Sequence, residues 1–134
     1  MRIVFADTLY WIALTNSRDQ WHQRAVSINA EFSEARLVTT DSVLTELANF
    51  FAEYGEVMRG KVALAIRSVL SDEEVEVLSE SRQTFLDGLM LYESRSDKAY
   101  SLTDCIAMNV MSKCGITDVL THDTQFLSEE HRKT

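Results

Sequence analysis

Four carboxylates in this 134-residue sequence occupy positions where an acid can do chemistry: Asp7, Glu46, Asp104 and Asp123. Asp7 follows Ile3, Val4, Phe5 and Ala6, an uninterrupted apolar run. Such a run suits a parallel strand covered on both faces by helices. Ligands of open α/β sheets bind outside the carboxyl ends of their strands. Asp123 repeats the pattern, following the short strand expected at Ile116–Thr121. Asp104 falls in the first turn of a helix expected from Ser101 to Gly115. Its residues are apolar nearly all round, so the helix is buried, and its dipole favours an ionised acid there. Glu46 sits at the edge of the apolar stripe of another helix. Each acid also has a plainer role open to it: Asp7 as a helix cap, Glu46 as a solvated helix acid, Asp104 as a complement to the dipole.

A parallel sheet would bring these acids together. The strands ending at Asp7 and Asp123 would point the same way, and the helices carrying Glu46 and Asp104 would start at or near that edge. Two carboxylates about 4 Å apart repel by roughly 4 kcal/mol at an effective dielectric near 20. A cluster of them takes up protons or binds a cation, and all-oxygen donors suit Mg²⁺ or Mn²⁺. No Cys/His grouping has zinc spacing, and the sequence has neither a Gly-rich phosphate loop nor a GxSxG elbow.

The remaining elements read as a scaffold for that edge. A helix starts near Leu9, and a second spans Trp21–Glu34 with Trp21, Ala25, Ile28 and Phe32 on one face. Arg36–Thr40 is a strand, and Asp41 is a good N-cap for a helix over Ser42–Tyr54. Its stripe is Val43, Leu44, Leu47, Phe50, Phe51 and Tyr54, and Gly55 ends it. Further helices are expected at Val57–Leu70 and Ser81–Arg95, with a strand at Glu74–Leu78 between them and a frayed tail after Glu129. Ser101 or Thr103 caps the buried helix. Asp118, at the start of its strand, and Glu53, too far along its helix, stay outside the site.

The length suits one domain over residues 1–134, with no repeat or composition shift to divide it. There is no Pro, where usage of about 5% would give roughly seven, which favours helices joined by short connections. No apolar run approaches a membrane span of about 18 residues, and Asp7 interrupts the N-terminal apolar segment too early for a signal peptide. Cys105 and Cys114 lie nine apart in one expected helix, on the order of 13 Å along its axis, which argues against a disulfide between them and fits a cytoplasmic protein. The net charge of −8 argues against general attraction to nucleic acid. A cation held by four of the acids would account for part of that excess.

The segments FADT at Asp7, TELANF at Glu46, SLTDC at Asp104 and THDTQF at Asp123 together resemble the PIN-domain family. These are small metal-dependent ribonucleases that include VapC-type toxins of VapBC toxin–antitoxin pairs. The resemblance spans nearly the whole chain. It implies a three-layer α/β/α fold around a parallel sheet of four or five strands. It assigns Asp7, Glu46, Asp104 and Asp123 as the metal-binding acids, with Thr8 and Thr121 orienting them by hydrogen bonds and Asp97 held in reserve. It further implies RNA as substrate, Mg²⁺ or Mn²⁺ as cofactor, a homodimer, and a small antitoxin that covers the site. The expected activity is hydrolysis of RNA phosphodiester bonds. A PIN-like protein-binding module without turnover is the alternative. A phosphoryl-transfer enzyme with Asp7 as nucleophile is a weaker fit, because Leu9 stands where its second Asp would be.

Overall fold

The computed structural model describes residues 2–31, 35–121 and 132–133. The apolar run after Arg2 forms β1 (Ile3–Ala6), whose Val4, Phe5 and Ala6 are fully buried. Helices α1 (Thr8–Thr15) and α2 (His22–Glu31) lead to β2 (Arg36–Thr40). Helices α3 (Asp41–Phe50) and α4 (Glu56–Ser71) lead to β3 (Val75–Leu78), and α5 (Arg82–Ser94) and α6 (Leu102–Cys114) lead to β4 (Asp118–Leu120). A two-residue strand, β5 (Arg132–Lys133), pairs beside β4 where the sequence suggested only a frayed tail.

All pairings are parallel, in the order β3-β2-β1-β4-β5. The chain moves outward from β1 to β3, then crosses back to β4 on the other side of β1. Right-handed crossovers therefore place α1 to α4 on one face of the sheet and α5 and α6 on the other. In the packing, α1 touches α2, α3 and α4, α5 packs along α6, and α3 also meets α6, where Thr103 lies beside the first turns of α3. The result is the expected three-layer α/β/α sandwich. The reversal of strand order beside β1 is the switch point where such sheets open a crevice.

Local chemistry differs from expectation at three junctions. Thr40, not Asp41, is the N-cap of α3: its hydroxyl accepts from the Val43 N–H at 3.2 Å, and Asp41 falls inside the first turn. A hydroxyl buried at the strand end reaches the helix amides, whereas Asp41 points out to solvent. Helix α3 stops at Phe50, so Phe51 alone carries the stripe into the following turn, and Phe50 and Tyr54 are exposed. Gly55, at φ 95°, caps the start of α4 instead of ending α3; its left-handed backbone lets the chain turn between the two. At α2, Trp21 lies just before the helix, and residues 32–34 lie outside those described.

Helix α6 buries Cys105, Ile106, Ala107, Met108, Val110 and Met111, as its all-round apolar sequence requires. Ser101 caps it, and Gly115 closes it in the left-handed conformation. Cys105 is buried and Cys114 exposed, with no disulfide between them. Among the described residues no helix is long and apolar enough to cross a membrane. Helix α5 approaches α6 at the buried Gly88, where a Cβ would collide with Ile106 Cγ1. Gly60, in α4, has open space instead.

These two glycines give opposite expectations. Gly88→Ala overpacks the α5–α6 contact, at about 1–3 kcal/mol, against a helix-propensity gain of about 1 kcal/mol. The variant should unfold at lower urea concentration than wild type. Gly60→Ala should unfold at higher urea, by about 0.5–1 kcal/mol. Equal shifts in the two melts would refute the close packing of α5 on α6.

Candidate active site at the β1–β4 switch point

The site is built around Asp7. The parallel register aligns Phe5 with Val119 and Ala6 with Leu120, so the next pair is Asp7 beside Thr121. The Asp7 N–H still bonds Leu120 O, at 3.3 Å. The Thr121 hydroxyl donates to Asp7 Oδ2 at 2.7 Å. Directly beneath, the Thr39 hydroxyl donates to Ala6 O at 3.0 Å and lies 3.3 Å from the Trp11 indole N–H that bonds it. That buried relay ties the end of β1 to β2 and to α1. Asp7 stands at the N-cap position of α1 but makes no side-chain cap. Its carboxylate is turned to Thr121 instead, so capping does not account for it.

Asp7 is 3% exposed. Burial is the largest influence on its carboxyl and, opposed by the Thr121 hydrogen bond, pushes it up to about 7 from its ordinary 3.8. The Asp104 carboxylate raises it further, the Thr8 backbone N–H lowers it, and Glu46 adds a smaller upward push. Two of the other three expected acids, Glu46 from α3 and Asp104 from α6, thus lie close enough to act on Asp7. The fourth, Asp123, lies outside the described residues.

Asp104 is held by its own helix end. The Ser101 hydroxyl accepts from the Asp104 N–H, and Asp104 Oδ2 accepts from the Ser101 N–H, both at 3.0 Å. This reciprocal capping box fixes the carboxylate at the mouth of α6. Glu46 is half-buried on α3. It lines a cavity of about 220 Å³ with Ser42, Thr45, Asn49, Glu80 and Thr103, the residue before Asp104.

Thr8 departs from expectation. Its hydroxyl is buried and has no hydrogen-bond partner among the described residues. Its backbone N–H, not its hydroxyl, is what lowers the Asp7 carboxyl. Asp97 lies in the turn before α6, 3.4 Å from Arg95 Nε. Asp118 is at the opposite sheet edge, 3.1 Å from Arg2 Nε, and Glu53 is exposed in the turn after α3. Glu80 was not singled out from sequence, yet its Oε1 accepts from both the N–H and the hydroxyl of Ser42. The available clue was its place just past the strand EVEVL, the same signal that marked Asp7.

Carboxylate oxygens are the donors that a hard divalent cation takes; that of Asp7 is buried, its carboxyl raised chiefly by that burial, beside the buried hydroxyl of Thr8, unpartnered among the described residues. Among the described residues no three acids, His or Cys are grouped closely enough to hold an ion by themselves.

The raised carboxyl of Asp7 has a stability consequence. A folded-state value above the unfolded one means the folded protein holds the extra proton. Its contribution is fully present below about pH 4 and is lost as pH rises to about 7. The loss is on the order of 4 kcal/mol for about three units. In chelator, Asp7→Asn should therefore flatten the fall in stability between pH 4 and 7 and be the more stable protein at pH 8. Parallel urea-melt profiles for the two proteins would contradict this assignment.

No family model and no curated protein matches the sequence. Solved structures do. One is VapC20 of Mycobacterium tuberculosis, described as a sarcin–ricin loop cleaving toxin: TM-score 0.83, 22% identity, over 93% of each chain. Another is PAE2754 of Pyrobaculum aerophilum: TM-score 0.63, 16% identity, over 98% of this chain and 89% of that one. At these identities the likeness speaks for the backbone, and it agrees with the parallel sheet and its helical layers: the chain has the PIN-like fold.

Proposed function

We propose that this chain is a divalent-metal-dependent endoribonuclease, the toxin of a toxin–antitoxin pair. The observation that carries the reading is Asp7, buried at the switch point, bonded to Thr121 and pressed by Asp104 and Glu46. A purely structural carboxylate gains nothing from two further acids nearby, whereas a cation site needs them. The likeness of fold to VapC20, a toxin that cleaves the sarcin–ricin loop, supports RNA as the substrate class.

Asp7, Glu46, Asp104 and Asp123 would hold Mg²⁺ or Mn²⁺, which supplies a Lewis acid for phosphate oxygens and activates water at neutral pH. The protein's part is positional and electrostatic. Thr121 and the Thr8 amide hold the Asp7 carboxylate at the end of β1. The capping box holds Asp104 at the end of α6. Glu46, on the cavity wall and more accessible than Asp7, orients the attacking water and takes its proton. The acids repel RNA until their charge is neutralised, so substrate binding and cation binding are coupled.

The partners follow from the same reading. Around α3 and α4 the chain exposes Phe50, Tyr54, Val57 and Leu64, apolar surface suited to a second copy. A cavity of about 580 Å³ lined by Leu9, Trp21, Ile28, Leu120 and Thr121 adjoins the site. An antitoxin helix seated there would cover Asp7. We assign the protein to the cytoplasm.

Cleavage of an RNA panel with Mn²⁺ or Mg²⁺ tests this directly. Asp7→Asn and Asp104→Asn should lose more than about 100-fold in rate, and Thr121→Val about 10- to 100-fold, as expected for a group that orients a ligand. Chelator should abolish cleavage and Mn²⁺ restore it. Asp7→Asn cleaving at the wild-type rate would remove the site. Mn²⁺ binding with no cleavage of any RNA would point instead to a binding module without turnover. For the toxin role, expression of wild type, but not Asp7→Asn, should arrest growth.

A further inference from the structure

Glu80 is a carboxylate that the proposed mechanism does not use. It lies two residues beyond β3, at the same sheet edge as Asp7. Its Oε1 accepts two hydrogen bonds from one residue of another element: the Ser42 N–H at 2.9 Å, and the Ser42 hydroxyl through a very short contact. Its Oε2 is buried and has no partner among the described residues.

Ser42 is in the first turn of α3, where backbone N–H groups lack partners within the helix. Thr40 serves the Val43 N–H, and Glu80 serves that of Ser42. The start of α3 is thereby pinned twice, to its own strand by Thr40 and to the β3–α5 connection by Glu80. A carboxylate at a helix N-terminus is also favoured by the dipole. Residues four apart share a helix face, so Ser42 and Glu46 stand one above the other. Both line the cavity of about 220 Å³ that Glu80 and Thr103 also line. Whatever fixes Ser42 fixes the height and rotation at which α3 presents Glu46 to Asp7.

We infer that Glu80 is a positioning residue for Glu46, acting through its double hydrogen bond to Ser42. Glu80 does not touch the reacting atoms. It holds the first turn of α3 so that the Glu46 carboxylate meets the edge where Asp7 and Asp104 stand. The inference rests on the proposed nuclease reading only for its effect on rate. The positional claim stands on the hydrogen bonds.

The experiment uses the full chain with Glu80→Gln, Glu80→Ala and Ser42→Ala. Gln keeps an oxygen that accepts the Ser42 bonds; Ala removes it. Ser42→Ala removes only the hydroxyl bond and covers the case in which Glu80→Ala fails to fold. The first readout is the side-chain carboxyl ¹³C resonance of Glu46, assigned by its loss in Glu46→Gln. It should move in Glu80→Ala, move less in Ser42→Ala and stay in place in Glu80→Gln. The second readout is RNA cleavage. The turnover number kcat should fall about 10- to 100-fold in Glu80→Ala, the scale expected when a catalytic group is displaced by about 1 Å. KM should change little, and Glu80→Gln should restore the rate.

A Glu46 resonance unmoved by Glu80→Ala overturns the inference, as does a Glu80→Gln variant as damaged as Glu80→Ala, which would mean that charge, not hydrogen bonding, is what Glu80 supplies. Cleavage insensitive to Asp7→Asn overturns the nuclease reading alone, and the Glu46 resonance still decides the role of Glu80.

Discussion

The hydrogen bond from Thr121 to Asp7 is the contact on which the arrangement turns. It joins the ends of β1 and β4, strands separated by more than one hundred residues in sequence, and it does so where the sheet reverses its order. Burying a lone carboxylate is unfavourable enough that such a group normally neutralises or finds a partner. Thr121 meets part of that demand with one charge-assisted bond, and the Thr8 amide meets more. The carboxyl nevertheless remains near 7, so these two contacts do not offset burial and the neighbouring acids. The fold tolerates a poorly compensated acid at its centre, as functional sites commonly do.

The other acids reach Asp7 by a shared device, a helix start anchored at the carboxyl edge of the sheet. Helix α6 is fixed by Ser101, whose reciprocal bonds with Asp104 cap the helix and hold that carboxylate at its mouth. Helix α3 is fixed by Thr40 from within and by Glu80 from outside. At α6 the hydrogen bonds that satisfy orphan amides also hold a carboxylate, Asp104; at α3 they would do the same for Glu46 on the inference drawn above. Stability and geometry at this edge are therefore one problem. The close approach at Gly88 extends it, because Ile106 lies only two residues beyond Asp104 and the fit of α5 against α6 bears on where α6 begins.

Much of this was legible in the sequence where a local rule acts alone. The apolar run before Asp7 suits a doubly covered strand, and the all-round apolar sequence after Ser101 suits a buried helix. Thr121 came into view through the resemblance of motifs, not from its own residue type. What was not legible depends on partners distant in sequence. Asp41 is as good a cap as Thr40 by type, and only the end of β2 determines which side chain meets the amides. Gly55 reads equally well as the end of one helix or the start of the next. Glu80 looked like one acid among twenty-one, because nothing near it in sequence reveals that its partner is Ser42. The placement of Asp123 falls outside the described residues.

The net charge of −8 is the feature that fits RNA least well, and the geometry gives it a place. The acids at the switch point are not spread over the surface but are set around one buried carboxylate. Asp104 and Glu46 both push the Asp7 carboxyl upward, behind the larger effect of burial. On the proposed reading, a divalent ion held there would change the sign of the local field for an approaching phosphate, while the outer surface stays acidic. An acidic nuclease of this kind would gain little from non-specific attraction to the RNA backbone, whose strength comes from Lys and Arg neutralising phosphates. Its affinity would rest instead on the cation and on the shape of the few cavities beside it. For the nuclease proposed, such a charge distribution would favour selectivity for a particular RNA structure over general RNA degradation.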